Sequence, residues 1–325
     1  MPKFTLVVDS SQISTFLECP QKWINQYIKR LEPVYFTQNE AMNSGTYGHK
    51  LLEIYYKSRL KGMIMNDAFQ ASLDYNPDED ICACGCTKEY HCDIPQLGIV
   101  DCIKCKRCNN YRPQVFVLNS LVRAQVRNTV RNYIAKYDNS DIIPTSEQHI
   151  EVGFSESVYE DSENLFVLEG RIDMIGTLQG LNCWMDHKFQ GKSHWLYPKS
   201  VQFKNYSLVT KLPGVINYAR LTKKVDDDTF AREVVSLNSV ELQAWHKRLI
   251  AIYQRMKKTL QTYQGLNKDL IERNWSSCPT SYQTYDKNQS KFCFYTELCE
   301  EIDPRMAESK EKSLFKIKET PWRPW

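Results

Sequence analysis

The chain has 325 residues, 42% hydrophobic and 25% charged, a make-up that excludes disordered and fibrous classes and fits a globular protein. Its 42 lysines and arginines against 39 acids leave a net charge of +3, so any basic surface must come from local arrangement. No apolar run approaches a bilayer span, and MPKFTLVVDSSQ lacks the basic start and apolar centre of a secretory signal, so the expectation is a cytoplasmic protein with no membrane partner.

In chain order, DSSQISTFLECPQKWINQYIKRL reads as one helix, capped by Ser10 or Ser11, with Ile13, Phe16, Leu17, Tyr27 and Ile28 as its apolar stripe. GTYGHKLLEIYYKSRL predicts a second helix from near Gly48, carrying His49 and Glu53 one turn apart. The segment from Asn76 to Pro113 has neither a helical nor a strand period and reads as an insertion. VFVLNSLVRAQVRNTVRNYIAKY predicts a long amphipathic helix.

The centre of the chain is β. EQHIEVGFSESV and NLFVLEGRIDMIGTL alternate, and LNCWMDHKF is a short apolar run ending in charge. Residues 165–178 and 181–189, joined at Gln179-Gly180, predict a hairpin. A helix around PKSVQFKNYSLVTKL and strands at GVINYARLTK and FAREVVSLN follow. Asn238 and Glu241 form a capping-box pattern ahead of ELQAWHKRLIAIYQRMKKTLQTY, a helix with a basic face. The order predicts a mixed α/β core wrapped by helices. We divide it into an N-terminal helical part (1–75), the insertion (76–113), the core (114–273) and a C-terminal tail (274–325).

The chemistry concentrates in the hairpin. If its register holds, Asp173 and Asp186 converge at one end of the sheet, and Lys188, two residues on, projects from the same face as Asp186. Two carboxylates suit Mg²⁺ or Mn²⁺, and an adjacent ammonium suits phosphodiester hydrolysis by metal-activated water. An Asp-x-Lys at a strand end is by itself common.

Twelve cysteines in a reducing compartment read as metal ligands rather than disulfides. Cys82, Cys84, Cys86, Cys92, Cys102, Cys105 and Cys108, with His91, crowd the insertion and predict Zn²⁺, in one site with spares or in two. Lys104, Lys106 and Arg107 between them either meet a phosphate backbone or form a solvated loop. Cys183 reads as a small buried hydrophobe.

SQISTFLECPQKWINQYI, GTYGHKLLEIYY, LEGRIDMIG, WMDHKF and QFKNY occur in this order. Together they resemble the RecB-type branch of the PD-(D/E)xK nucleases, which includes the nuclease domains of RecB and AddB, phage exonucleases and the RecB-like nucleases of CRISPR adaptation. The resemblance runs over 9–60 and 115–299. It implies a restriction-endonuclease-like mixed sheet flanked by helices. It assigns His49 as a metal ligand, Asp173 as the acid of the Gly-x-x-Asp motif, and Asp186 and Lys188 as the Asp-x-Lys element. The His187 backbone carbonyl is implied as a further ligand, and Gln202 and Tyr206 as contacts to DNA or props of the site. Glu151 reads as an acid set back from the ligands. Glu53 either orients the site or lies on a solvated face. His194, Trp195 and Tyr197 either stack bases or pack.

The same resemblance implies a [4Fe–4S] cluster held by Cys19, Cys278, Cys293 and Cys299. Cys278 departs from the pattern by lying fifteen residues before Cys293, where relatives often carry a tight Cys-x-x-Cys. Zn²⁺ on the same thiols, or free buried cysteines, stay open. The implied activity is a metal-dependent DNA nuclease, exonucleolytic or flap-trimming on single-stranded ends, in phage or prokaryotic recombination, replication, repair or CRISPR spacer processing. A helicase or recombinase is the implied partner. The rival readings are a catalytically silent DNA-binding protein, a zinc-dependent interaction protein, and RNA as the substrate.

Overall fold

The computed structural model describes residues 3–34, 40–75, 118–137, 142–190, 200–221, 229–265, 271, 293–301 and 303–318. The N-terminal part holds β1 (Phe4–Val8), α1 (Ser10–Glu18), α2 (Pro20–Trp23), a π-helical turn (Ile24–Ile28), β2 (Leu31–Pro33), α3 (Glu40–Leu60) and α4 (Met65–Leu73). The middle holds α5 (Ser120–Tyr137), β3 (Ile142–Pro144), β4 (Ile150–Glu160), β5 (Asn164–Leu178), β6 (Leu181–Gln190) and α6 (Val201–Thr210). Then come β7 (Gly214–Arg220), β8 (Phe230–Val235), α7 (Ser239–Gln264), α8 (Thr296–Glu300), α9 (Pro304–Leu314) and β9 (Phe315–Ile317).

β5 is the axis of a mixed sheet. Antiparallel β4 and β3 flank one side of it. On the other side, parallel β1 pairs as far as Val8↔Leu168, and antiparallel β6 takes over from Met174↔Met185. β6 runs on parallel to β7, and β7 antiparallel to β8. Between Leu168 and Met174, β5 therefore has no strand partner on the β1/β6 side among the described residues. Helices α3, α4 and α5 cover one face with Tyr47, Leu51, Tyr55, Val126 and Tyr133. Helices α1, α6 and α7 cover the other with Phe16, Phe203, Tyr206, Leu249 and Tyr253. Burying each such aromatic contributes roughly 2–3 kcal/mol.

Local chemistry explains most boundaries. Gln179 and Gly180 take φ of 52° and 79°, the left-handed pair that a two-residue hairpin turn requires. The Asn238/Glu241 capping box forms. The first helix departs from the expectation in two ways. Its cap is Asp9, whose carboxylate accepts from the Gln12 amide at 2.7 Å, rather than Ser10 or Ser11. It also breaks at Cys19, which is extended at φ −160° because the following proline disfavours the α region, and Pro20 then opens α2. α3 begins at Glu40, earlier than its pattern implies. The insertion, with its cysteines and His91, lies outside the described residues. No helix among the described residues is long and apolar enough to cross a membrane.

Candidate active site

The site sits where β5 and β6 part. Their ladder ends at Met174↔Met185, so the next residue on each strand, Asp173 and Asp186, flanks the mouth of the fork. Asp173 Oδ2 accepts from the His187 backbone N–H at 2.6 Å, a side chain doing what a ladder carbonyl would have done. On the same strand Tyr206 of α6 reaches into the unpaired stretch and donates its hydroxyl to the Arg171 carbonyl. The glycine of Gly170-Arg-Ile-Asp is required by packing, since a Cβ there would lie 2.4 Å from the Phe154 ring.

The strands that carry Glu151 and Asp173, β4 and β5, also switch faces here. Val152 and Ile172 pack under α6, whereas their neighbours Ile150 and Met174 pack under α3. The switch falls at Glu151 and Asp173, and Glu151 adopts φ 56°, a conformation costing of order 1 kcal/mol for a residue with a side chain. Glu151 is thereby brought beside His49 and Asp173. One donor atom from each of the three lies within 4.8 Å of the others. His49 arrives from α3, with Nδ1 at 3.2 Å from Asp173 Oδ2, because Gly48 lets the helix close on β6 where a Cβ would meet the Phe189 ring at 2.8 Å. Two carboxylates and an imidazole are a fitting donor set for Mg²⁺ or Mn²⁺.

Asp186 and Lys188 form the other wall. Lys188 Nζ lies 2.8 Å from Asp186 Oδ2 and donates to Gln202 Oε1 at 3.1 Å. The Gln202 amide donates to the Tyr206 hydroxyl at 2.7 Å and to Asp186 Oδ1 at 3.4 Å. The structure thus brings together Asp173, Asp186, Lys188, His49, Gln202 and Tyr206, and adds Glu151 directly to the donors. Glu53 is held by Lys50 and Lys57 at 2.8 Å each. The His187 ring is buried between Tyr56 and Tyr133, with Nε2 3.1 Å from the Tyr133 hydroxyl and Nδ1 3.5 Å from Asp173. No sequence signal marked that ring, since strand alternation would turn it away from Asp186.

Burial works to raise the Asp173 pKa, but His49 and the hydrogen bond from His187 outweigh it and hold the carboxyl well below the usual range. Burial pushes Asp186 up to about 6, with Lys188 offsetting only part. Burial and then the Asp173 charge push Glu151 up to about 7. Burial depresses His49, and the Asp173 carboxylate more than reverses it. Burial keeps His187 low. Asp186, Glu151 and His49 therefore hold protons that a cation must displace, so metal binding tightens as pH rises.

The described cysteines Cys19, Cys183, Cys293 and Cys299 form no disulfide with one another. Cys293 and Cys299 sit with Leu31, Tyr295 and Phe315 where β2 pairs with β9. Cys19, Cys293 and Cys299 do not bring their sulfurs within 4.8 Å of one another, whereas Zn–S bonds of about 2.3 Å place tetrahedral ligands about 4 Å apart. Cys278, His194, Trp195 and Tyr197 lie outside the described residues.

A mixed sheet parting over two acids and a lysine, with an imidazole and a third acid in reach, defines the donor chemistry of a divalent-metal hydrolase. The chain belongs to the PD-(D/E)XK nuclease superfamily, whose family model matches residues 10–300. Members of that superfamily use divalent metals, and DNA is the substrate class the family implies. Among solved structures, one described as "Crystal structure of SSO0001" is 10% identical, with 76% of this chain and 85% of that chain covered, at a TM-score of 0.26. Among curated protein sequences none matches significantly.

Proposed function

We propose that the chain is a divalent-metal-dependent deoxyribonuclease of the RecB-type branch, working on single-stranded ends as an exonuclease or flap trimmer. The observation that carries the catalytic part is Lys188, held 2.8 Å from Asp186 and 3.1 Å from Gln202 beside the His49–Glu151–Asp173 donors. In this reading His49, Glu151 and Asp173 hold Mg²⁺ or Mn²⁺, with Asp186 and the His187 carbonyl facing the same ion. The cation supplies an acidified water and an offset to phosphate charge. Lys188, fixed from two sides, presents its ammonium to a phosphodiester oxygen as negative charge develops there. Gln202 holds that lysine and Asp186 in register, and Tyr206 braces Gln202 against β5. The five ordered motifs favour the RecB-type branch, and with it recombination, replication, repair or CRISPR spacer processing alongside a helicase or recombinase.

The cysteines extend the proposal. Cys19, Cys278, Cys293 and Cys299 hold a [4Fe–4S] cluster that ties the chain ends, a reading supported by Cys293 and Cys299 lying at the β2–β9 junction. The insertion holds Zn²⁺. Anaerobic purification followed by a visible spectrum and metal analysis tests both.

The activity test is digestion of end-labelled single- and double-stranded DNA, and of RNA, with Mg²⁺, Mn²⁺ or EDTA. Metal-dependent cleavage by the wild type, lost in Asp186→Ala and Lys188→Ala and in Glu151→Gln while circular dichroism is unchanged, is the expected result. Equal inertness of wild type and variants on every substrate would replace the catalytic reading with a DNA-binding or zinc-dependent assembly role.

A further inference from the structure

α7 carries the basic face that its sequence announces, and nothing in the catalytic reading uses it. At about 100° per residue, Lys247, Arg248, Arg255 and Lys258 fall within an arc of about 100°, opposite the buried Trp245, Leu249, Met256 and Leu260. All four cations are exposed. Lys247, Arg248 and Lys258 make no ion pair among the described residues. Arg255 lies over the Phe16 ring at 5.5 Å. The remaining members of the arc are Val240, Ala244, Ala251 and Thr262, and the helix's one acid, Glu241, is committed to its cap. Lys257, by contrast, points away, with its amine over Phe4 and bonded to Asn164.

Such a row is costly in self-repulsion and is not relieved by acids along the helix. Its length, about eleven residues at roughly 1.5 Å each, is about 16 Å, enough to follow a short run of backbone phosphates. It is also rigidly tied to the fork. Trp245 donates to Asn205 of α6 at 2.9 Å, Asn205 donates to Ser10 at 3.0 Å, and the same helix carries Gln202 and Tyr206, one turn before Asn205 and immediately after it.

We propose that this face of α7 is a second contact for the nucleic-acid substrate, binding its phosphate backbone away from the cut while the fork holds the scissile phosphate. The proposal rests on the nuclease reading above. The contact is sequence-independent, since lysine and arginine on a convex helix meet phosphates rather than base edges.

The test is binding of a fluorescein-labelled single-stranded 20-mer by the full chain, followed by anisotropy in EDTA from about 50 to 300 mM KCl, with Mn²⁺-dependent cleavage of the same oligonucleotide measured in parallel. For the variant Lys247→Gln/Arg248→Gln/Lys258→Gln we expect the slope of log K against log [KCl] to fall by about 2, at roughly 0.7 for each phosphate left without its cation. Binding at the low-salt end weakens at least tenfold. A charge-matched control, Lys3→Gln/Lys312→Gln/Lys316→Gln, removes three exposed lysines elsewhere and leaves the slope unchanged. A wild type that cuts DNA alongside an α7 variant with an unaltered slope overturns this proposal and leaves the nuclease reading standing. Equal loss in both triple variants overturns it too, by reducing the effect to net charge. Capture of phosphatidylserine vesicles that depends on the three residues, with DNA binding unaffected, assigns the face to a membrane surface instead. A wild type that binds the oligonucleotide through this face but cuts nothing supports the contact and overturns the nuclease reading.

Discussion

Gly214→Ala tests how tightly the catalytic strand is built. Gly214 pairs with Trp184 across β6 and β7, and a Cβ at 214 would lie 2.0, 2.0 and 2.3 Å from Cε2, Cζ2 and Cη2 of the indole. Carbon atoms rest at about 3.5–4.0 Å, so the ring would have to move by about 1.5 Å. It has nowhere to go. Trp184 is fully buried, stacked on Phe203 at 5.5 Å and 14°, with Nε1 donating to Ser207 Oγ at 3.1 Å. Overpacking costs about 1–3 kcal/mol, and stripping the indole from Ser207 adds about 1–2 kcal/mol, for roughly 2–5 kcal/mol in all. At about 2–4 °C per kcal/mol, the midpoint should fall by roughly 5–15 °C in a circular-dichroism melt. Trp184→Phe deletes the six-membered part of the indole that the new methyl strikes. Gly214→Ala placed in that background should cost under about 1 kcal/mol, a coupling of about 1 kcal/mol or more across the cycle. Additive costs within about 0.5 kcal/mol would refute the steric argument. Because Trp184 lies two residues before Asp186 and Phe203 adjoins Gln202, the single variant should also cleave DNA more slowly per folded molecule.

Three further outcomes follow from the same geometry. Asp9 is buried, and burial raises its pKa to about 6, so the folded state holds the proton more tightly than the unfolded chain. Stability from this group is present below about pH 4 and lost as pH rises through about 6, by up to about 3 kcal/mol. Asp9→Asn, which keeps the cap acceptor, should flatten that dependence in urea melts between about pH 4 and 7.5, and parallel curves would sink the account. Glu151→Gly relieves the left-handed backbone and gives up only a half-exposed ion pair with Arg171, so the metal-free protein should melt no lower than wild type. Its Mn²⁺ affinity by calorimetry should drop at least tenfold, and an unchanged affinity would remove Glu151 from the donors. Tyr206→Phe orphans the Arg171 carbonyl and one Gln202 hydrogen, costing about 1–3 kcal/mol, and an unaltered midpoint would show the brace to be idle.

Much of this site is legible in the chain. Alternation and Gln179-Gly180 fix the hairpin, and the hairpin fixes that Asp186 and Lys188 share a face. The order of the five motifs points to the superfamily without any knowledge of the fold. What the pattern does not carry is Glu151 among the donors, because period-two reasoning assumes that a strand keeps its faces, and β4 and β5 exchange theirs at Glu151 and Asp173. The His187 ring escapes for another reason: alternation turns it away from Asp186, and its neighbours Tyr56 and Tyr133 come from segments distant in sequence. The break at Cys19 is readable from the proline that follows it, but a continuous apolar stripe masks it. Pairings of β1 with β5 and of β2 with β9 join segments far apart in sequence and leave no local trace.

That last pairing sets a clock on synthesis. Leu31 finds its partner in Ile317, and Tyr295 donates to the Leu31 carbonyl at 2.8 Å. A ribosome adding about 5–20 residues per second needs roughly 15–60 s to supply β9 after β2 has emerged. For that interval β2 is an open strand edge and the Leu31 side of the molecule is bare, while the central sheet can already assemble from β1 through β8. The nascent chain is thus most exposed to misassociation at its N-terminal end, late in translation, and a chaperone that shields residues around Leu31 would raise the yield of native protein more than one that shields the fork.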